Sequence, residues 1–354
     1  MSPVTISVFN NKGGVGKTNT IWNLSMSLSE KNQKILLIDF DPQCNLSIAC
    51  LGDQKFSSLL NKSQTKPHGQ TIRAFALPYI QQNRLGQIYI HSPLKQPSKG
   101  KLDVVAGDFW LNNFSDVLNV GTDVISGSCL YRFLLVSQLI SQIQQNNNIQ
   151  YDFVLVDLPP SFNTLVRSAL YCSDYFLVPC TPDLFSAYCV GLIGEVLPSF
   201  INDWEQGKQR YMAANQYDNL VPSKGQPKFG GWIFNGFDTR KKAGTQIISE
   251  TGADRAQYEK INSSIVNNLI PSLKSIASYT CVPQFVTSEP VARIEDLNVM
   301  APDSIVQNIP IKYLGQSKPT RDIGRGSWSK EQKALMDKMD KVFDNLANYI
   351  ISNF

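Results

Sequence analysis

A glycine-rich turn near the N-terminus contains the residues whose chemistry is easiest to interpret. Residues 11–18 have the sequence NKGGVGKT, directly after an apolar run at 4–10 and directly before apolar residues at helical spacing. Gly13, Gly14 and Gly16 permit backbone turns that point successive N–H groups at phosphate oxygens, and the following helix adds its positive end. Lys17 supplies a point charge for β- and γ-phosphates, and the Thr18 hydroxyl suits a hard cation such as Mg²⁺. This strand, turn and helix arrangement predicts a P-loop.

A second lysine, Lys12, precedes the glycines. A side chain in that position cannot easily reach the phosphates that its own loop cradles, so it is available to a nucleotide bound by another chain. The alternative is a lysine that is merely solvated at the mouth of the loop.

The elements that must position these residues are short, continuous apolar runs. Such runs occur at 34–39 (KILLID) and 153–157 (FVLVD), each ending in a carboxylate, and also at 175–178 and 232–234. Continuous apolar strands are buried on both faces, and helical segments separate them. The pattern predicts an α/β fold with a mostly parallel, twisted sheet, helices on both faces, and a ligand site at the carboxyl ends of the strands. Asp157, at one such end, can hold Mg²⁺ through water, although a helix-capping aspartate before Pro159 and Pro160 is the alternative.

Two stretches are less regular and are expected to be insertions in one domain spanning 1–354. The first, at about 51–150, contains loops around 96–101 and 144–150, with a predicted strand at 102–106 and a predicted helix at 130–143. The second, at 207–228, is expected to be a surface excursion. At 330–354, apolar residues three and four positions apart predict a C-terminal helix whose stripe contains Leu335, Met339, Val342, Leu346 and Tyr349.

Composition predicts an ordinary globular chain with a cytoplasmic location. Of the 354 residues, 42% are hydrophobic and 18% charged, and no run of about 20 apolar residues suggests a membrane span. The first ten residues are too short and polar for a signal peptide. Seven cysteines, without a C-x-x-C pair, are expected to be reduced thiols, which argues against an Fe–S cluster. The net charge of +4 is modest, so affinity for nucleic acid would need a local patch.

The motif KGGVGKT at 12–18 resembles the deviant Walker A box of the ParA/MinD ATPases, a family of P-loop NTPases. Similarly, DFDPQ at 39–43 resembles the family's switch segment, DLPPS at 157–161 its Walker B segment, and 173–192 the stretch that follows. The likeness spans residues 4 to about 300 and is loose at 51–150. It implies a weak ATPase that uses ATP and Mg²⁺ and forms a homodimer with ATP, in which Lys12 of each chain reaches the other's phosphates.

The family's functional residues can be carried over to the matching positions. The implied catalytic residues are Lys12, Lys17 and Asp41, of which Asp41 would orient and polarise the attacking water. The implied nucleotide ligands are Lys12, Gly13, Gly14, Val15, Gly16, Lys17, Thr18, Asn19 and Asn235. The implied magnesium residues are Thr18, Asp39 and Asp157. Asn235 ends an apolar strand where the family places an asparagine against the adenine edge, and a structural asparagine in a turn is the alternative. Cys44 stands where the family often has glycine. This departure leaves the exact path of the switch loop open, but it does not affect the two carboxylates.

The resemblance also implies what the ATPase acts on. Basic residues in the C-terminal half of the family bind DNA non-specifically in the ATP dimer, and two copies double the number of phosphate contacts. The matching candidates are Arg240, Lys241, Lys242, Lys312, Lys318, Arg321 and Arg325. Simple solvation of these residues is the alternative. A P-loop beginning at residue 12 leaves no room for an N-terminal helix-turn-helix, so operator-specific autorepression is not expected.

A nucleoid-associated protein that positions plasmid, chromosome or protein cargo is the resulting expectation, with a ParB-like or adaptor partner that stimulates hydrolysis. The rival is a MinD-like ATPase that binds membrane through its C-terminal helix. The polar surface of that helix contains lysines together with Asp337, Asp340 and Asp344. Anionic lipid would repel these three aspartates. Packing of the helix against the domain is therefore favoured over membrane attachment.

Overall fold

The computed structural model describes residues 2–119, 123–147, 149–241, 248–282, 289–320 and 326–354. Its strands are β1 Val4–Val8, β2 Lys34–Asp39, β3 Lys101–Val105, β4 Phe153–Asp157, β5 Tyr175–Cys180, β6 Lys228–Phe237, β7 Thr239–Lys241, β8 Ile248–Glu250 and β9 Ala292–Glu295. Seven of them form one sheet in the order β3-β2-β4-β1-β5-β6-β9, and each neighbouring pair is parallel. β7 and β8 form a separate antiparallel pair.

Helices cover both faces of the sheet. They are α1 Lys17–Glu30, α2 Asn45–Leu51, α3 Asp53–Leu59, α4 Arg73–Gln82, α5 Phe114–Asn119, α6 Leu135–Asn147, α7 Thr164–Cys172, α8 Leu184–Ala214, α9 Gly252–Ser264, α10 Ile270–Lys274, α11 Met300–Gln307, α12 Ile311–Leu314 and α13 Lys330–Asn353. Because strand side chains alternate between faces, the sheet separates two hydrophobic cores. One core contains residues of α1 to α3 and α11 to α13, and the other contains residues of α4 to α10. The predicted fold class is confirmed.

The strand register brings the expected chemistry to one edge of the sheet. Asp39 at the end of β2 and Val8 at the end of β1 both align with Asp157 at the end of β4. The P-loop leaves β1, which lies between β4 and β5. Carboxyl ends of parallel strands share an edge, so the loop and both carboxylates lie close together as expected.

Two of the predicted loops are partly helical. α6 continues to Asn147, into the stretch expected to be a loop at 144–150, and α8 continues to Ala214, into the expected excursion at 207–228. α8 persists because Trp204 is fully buried, with its ring centroid 4.5 Å from that of Tyr171. The strand predicted at 102–106 and the helix predicted at 130–143 correspond to β3 and to α6 with the 3₁₀ turn Leu130–Leu134 before it.

By length and composition alone, α8 could cross a membrane, although the sequence predicted no membrane span. Apolar core helices satisfy the same criterion. Val190, Ile193, Leu197 and Ile201 are buried in the core at steps of three and four, so one face of α8 packs against the rest of the fold.

The C-terminal helix packs against the domain, as the sequence analysis favoured. Its buried residues are Met336, Met339, Phe343, Leu346, Ala347 and Ile350, within the core that also contains α1. The buried face of α13 is therefore rotated slightly from the predicted stripe. Three residues of that stripe, Leu335, Val342 and Tyr349, are only partly buried at its margin. Asp340 and Asp344, on the polar side, form ion pairs with Lys312.

Candidate nucleotide site

The P-loop takes the backbone path that its glycines permit. Gly14 and Gly16 have φ values of +73° and +79°, in the left-handed region that favours glycine. Gly16 is also the N-cap of α1, and the Thr20 N–H donates to its carbonyl oxygen at 2.8 Å. The amino terminus of α1 thus faces the space above the loop, which suits an anion.

Lys17 is buried at the centre of this loop. Its ammonium donates to the carbonyl oxygens of Asn10 and Lys12, both at 3.1 Å, so it lies within the curve of the loop. Burial lowers the pKa of Lys17, and the carboxylates of Asp157 and Asp41 oppose this shift. A cation in this position is suited to bind phosphate oxygens in place of the two carbonyls.

Thr18 and Asp157 provide oxygen atoms suitable for a magnesium ion. The Thr18 hydroxyl donates to Asp157 Oδ2 at 2.6 Å, while Asp157 Oδ1 is buried and has no hydrogen-bond partner in the described residues. Burial, followed by the charge of Asp39, raises the pKa of Asp157 well above its ordinary value. A buried acceptor without a partner fits a divalent cation, so the residues present suit Mg²⁺.

This cation would need ligands from the nucleotide as well. Within the described ranges, no group of three or more His, Cys, Asp or Glu side chains could hold a metal ion by itself. Mg²⁺ in proteins is usually bound by one or two side chains together with water and substrate phosphates, and Thr18 and Asp157 match that pattern.

Asp39 is engaged in holding the switch segment. Its Oδ2 accepts hydrogen bonds from the Ser47 N–H at 2.8 Å and the Ser47 hydroxyl at 2.6 Å, and its Oδ1 accepts from the Asp41 N–H at 3.3 Å. Burial raises the pKa of Asp39 to about 7, although the bonds from Ser47 oppose the shift. With both oxygens engaged, Asp39 is better placed to support the loop than to bind Mg²⁺ directly.

Asp41 lies two residues further on and faces Lys17. Its Oδ1 accepts a hydrogen bond from the Gln43 N–H at 2.9 Å, and its side chain is nearly buried. Burial raises its pKa, while Gln43 and Lys17 act in the opposite direction. The backbone turn therefore holds this carboxylate where the charge of Lys17 acts on it.

Cys44 shows why the family often has glycine at this place. Its φ is +56°, in the left-handed region, and it precedes α2 as the N-cap. The loop thus adopts a conformation that glycine takes without strain, at an expected cost of about 1 kcal/mol for a residue with a side chain. The Cys44 side chain is fully buried, which anchors the turn by packing.

Lys12 points away from its own P-loop. Its ammonium forms an ion pair with Asp183. It also donates to Thr181 Oγ1 at 2.6 Å and Ser186 Oγ at 3.3 Å. Asp183 is the N-cap of α8, where its Oδ1 accepts from the Ser186 N–H at 2.9 Å. Burial opposes ionisation of Asp183, yet Lys12 and Thr181 hold its pKa below its ordinary value. Sequence reasoning did not identify this cluster of partners.

Asn235 reaches the site from β6. Its Nδ2 donates to the Val15 carbonyl oxygen at 2.8 Å, so the side chain holds the P-loop from the side. Its contact with an adenine ring stays a prediction. Asn10, which sequence reasoning missed, acts similarly: its Nδ2 donates to the Pro179 carbonyl at 2.8 Å and its Oδ1 accepts from the Lys12 N–H at 2.9 Å. A polar residue ending an apolar strand was the available signal.

The described C-terminal basic candidates differ in exposure and in their partners. Arg240 is exposed in β7, which ends at Lys241, and Lys318 is exposed after α12. Lys312 instead forms ion pairs with Asp340 at 2.7 Å and Asp344 at 3.2 Å, which neutralise its charge within the chain. Lys242, Arg321 and Arg325 lie outside the described residues.

The contact between Asn235 and Gly16 yields a testable prediction. A Cβ on Gly16 would lie 2.1 Å from Asn235 Nδ2, whereas a Cβ on Gly14 would meet no atom within 4 Å. We expect Gly16→Ala to lower the free energy of unfolding by about 2–4 kcal/mol, from a left-handed penalty plus the displaced hydrogen bond. Gly14→Ala, the matched control, should lose only about 1–2 kcal/mol. Urea unfolding without nucleotide measures both, and equal losses would contradict the prediction.

Known proteins resemble this chain in sequence and in fold. The family model for an AAA domain matches residues 4–206. An uncharacterized protein of Methanocaldococcus jannaschii is 32% identical over 247 residues, which are 68% of this chain and 75% of that protein. A ParA family protein of Chlamydia pneumoniae is 29% identical over 184 residues, 51% of this chain and 60% of that one. The structure of pNOB8 ParA bound to nonspecific DNA superposes with a TM-score of 0.54 at 17% identity, covering 99% of this chain and 98% of the other.

Proposed function

Because the chain belongs to the ParA/MinD family of P-loop ATPases, we propose that it hydrolyses ATP slowly and dimerises in its ATP state to position a cargo. The observation that carries the proposal is the convergence of three elements at one sheet edge. These are the P-loop with Lys17, the switch segment with Asp41, and Asp157, whose Oδ1 accepts no hydrogen bond from the part of the chain that the structure describes.

Each side chain has a defined part in the proposed hydrolysis. Lys17 and the loop N–H groups bind the β- and γ-phosphates, and Thr18 and Asp157 hold Mg²⁺. When bound, Mg²⁺ neutralises the negative charge that develops on the phosphate oxygens. Asp41 orients a water molecule for in-line attack. Asp39 holds the switch segment through Ser47, which keeps Asp41 in position.

Dimer formation in this proposal requires Lys12 to leave Asp183. In the single chain its ammonium is satisfied by three oxygen-bearing side chains at the start of α8. The γ-phosphate of ATP bound to a second protomer is a more highly charged partner for the Lys12 ammonium than one carboxylate. The exchange of one partner for the other would couple nucleotide binding to association.

Double-stranded DNA, bound without sequence preference, is the proposed matrix in the ATP state, which places the protein on the nucleoid in the cytoplasm. The structural neighbour bound to nonspecific DNA supports this choice of matrix. Arg240, Lys241, Lys242, Lys318, Arg321 and Arg325 are the candidate contacts from the C-terminal half. The cargo is a plasmid, a chromosome or a protein assembly, and a ParB-like or adaptor protein stimulates hydrolysis to release the dimer.

Membrane attachment is not part of the proposal. The apolar face of α13, which a MinD-like mechanism would insert in lipid, packs in the core beside α1. Its exposed side contains lysines and also aspartates, and anionic lipid would repel the aspartates.

Light scattering after size exclusion tests the proposal. With ATP and Mg²⁺ we expect the mass to double relative to ADP, and the dimer to shift a random-sequence DNA duplex at low salt. A monomer under all nucleotide conditions would overturn the dimer, and an ATP dimer that binds vesicles containing phosphatidylserine and ignores DNA would overturn the matrix.

A further inference from the structure

Positive charge is concentrated in the part of the chain between α2 and β3. Residues 51–100 contain seven Lys and Arg against one acidic residue, Asp53, a net charge of +6 in a chain whose total is +4. The remaining residues together are therefore slightly negative. The basic residues of this segment are Lys55, Lys62, Lys66, Arg73, Arg84, Lys95 and Lys99.

The fold holds four of these cations on one compact unit. Lys55, on α3, donates to the Ser92 carbonyl oxygen at 3.0 Å, and the neighbouring His91 ring contacts the Gln70 carbonyl at 2.8 Å. Lys66 in turn donates to Gln70 Oε1 at 2.7 Å. These contacts fasten α3, the connection to α4 and the extended chain at 87–94 to one another.

Lys62 and Arg84 belong to the same surface. Lys62 precedes Ser63, which exchanges backbone hydrogen bonds with Lys66 at 3.1 and 3.2 Å. Arg84 shortly precedes Gln87, whose Nε2 donates to the Thr65 carbonyl oxygen at 3.4 Å. Both Lys62 and Arg84 are exposed. We call Lys55, Lys62, Lys66 and Arg84 the basic surface.

Acidic side chains do not neutralise the basic surface. In the fully described segment 51–100, none of its four cations forms an ion pair, and their hydrogen-bond partners are neutral. Elsewhere Arg167 pairs with Asp203 and Lys224 with Asp174, which shows that this chain neutralises cations where they serve packing. A cluster of unneutralised cations repels itself, and binding a polyanion relieves that repulsion.

The neighbouring residues favour the backbone of duplex DNA as the polyanion. Binding of single strands uses exposed aromatic rings on which bases stack. The aromatic residues of segment 51–100 are buried or half-buried, and the ring of Tyr89 lies beneath Lys66 at 5.9 Å. An interfacial membrane helix would need an exposed apolar stripe, but α3 and α4 bury Phe56, Leu59, Phe75 and Ile80.

We propose that the basic surface of Lys55, Lys62, Lys66 and Arg84 is a DNA-binding site that contacts phosphates of the duplex, in addition to any contacts from the C-terminal half. This inference rests on the proposed function for its partner and extends it to a region where the family resemblance is loose. In a dimer, two such surfaces contribute contacts, so their contribution to the logarithm of the affinity is doubled.

Fluorescence anisotropy with a labelled random-sequence duplex tests the site in the presence of ATP and Mg²⁺. The variant Lys62→Ala/Arg84→Ala removes two exposed cations, and Lys333→Ala/Lys341→Ala removes two exposed cations from α13 as the matched control. We expect the first variant to bind at least about tenfold more weakly at low salt. Its slope of log affinity against log salt should fall by about two per protomer. The control should stay within about twofold of the wild type.

Separate readouts distinguish failure of this inference from failure of the proposed function. ATP-dependent dimers and ATP hydrolysis should be unchanged in both variants, because neither pair contacts the nucleotide site. If the wild type binds duplex and Lys62→Ala/Arg84→Ala binds with the same affinity and salt slope, only this inference is overturned. If the wild type dimerises with ATP but does not bind duplex, DNA as the matrix is overturned as well. Binding of the wild type to phosphatidylserine vesicles instead of duplex, lost in the same variant, would reassign the surface to membrane.

Discussion

Asp41→Ala is expected to lower kcat for ATP hydrolysis by about a hundredfold or more, the range for loss of a positioned acid–base group. The carboxylate is held by the Gln43 N–H beside Lys17, so its removal takes away the group that orients water and leaves the phosphate cradle intact. ATP should still bind, and because turnover is blocked, the ATP dimer should persist longer than in the wild type. Single-turnover hydrolysis, with the mass of the ATP complex measured in parallel, checks both expectations.

Asp53→Ala is the matched control for this experiment. Asp53 is an exposed aspartate in the first turn of α3, outside the switch segment. It should hydrolyse ATP as the wild type does. Hydrolysis by Asp41→Ala within about threefold of the wild type would reject Asp41 as the water-orienting group. Loss of ATP binding in that variant would assign Asp41 a structural role.

Lys12→Ala is expected to abolish the ATP-dependent dimer. In our proposal the Lys12 ammonium must reach the phosphates of the partner, and in the single chain it contacts Thr181, Asp183 and Ser186. ATP binding by the single chain should change little, because Lys12 does not face its own loop. Size exclusion with light scattering, at saturating ATP, measures the result, and a dimer of wild-type stability would contradict it.

Asp183→Asn provides the opposite perturbation at the same contact. Asparagine caps a helix as well as aspartate does, so the start of α8 should be preserved while the charge that holds Lys12 is removed. Lys12 and Asp183 are 18% and 40% exposed, so their ion pair should be worth no more than about 1 kcal/mol. We therefore expect the dimer to form at an ATP concentration lower by up to about fivefold. A dimer weakened to the same degree as in Lys12→Ala would show that the pair serves only to hold α8.

The backbone elements around the candidate site were predicted from sequence where the information was local. Gly14 and Gly16 take the left-handed conformations that their spacing suggested, because a P-loop is a continuous backbone segment between a strand and a helix. β2 and β4 were readable as short apolar runs, since strands buried on both faces have few polar residues. The limits of α6 and α8 were missed because polar residues continue a helix readily when its other face is buried.

Local sequence by itself determined the glycine-rich P-loop, the parallel sheet and the excess of cations at 51–100, because these depend on neighbouring residue types. Only the tertiary structure decided which charges meet. Lys12 contacts Asp183, which is 171 positions away, Asp39 accepts hydrogen bonds from Ser47, and Lys312 forms ion pairs with α13. Lys62 and Arg84, in contrast, form no ion pair within the described part of the chain. The physical reason is that the effect of a charge depends on its partners and its burial, and the folded chain sets both.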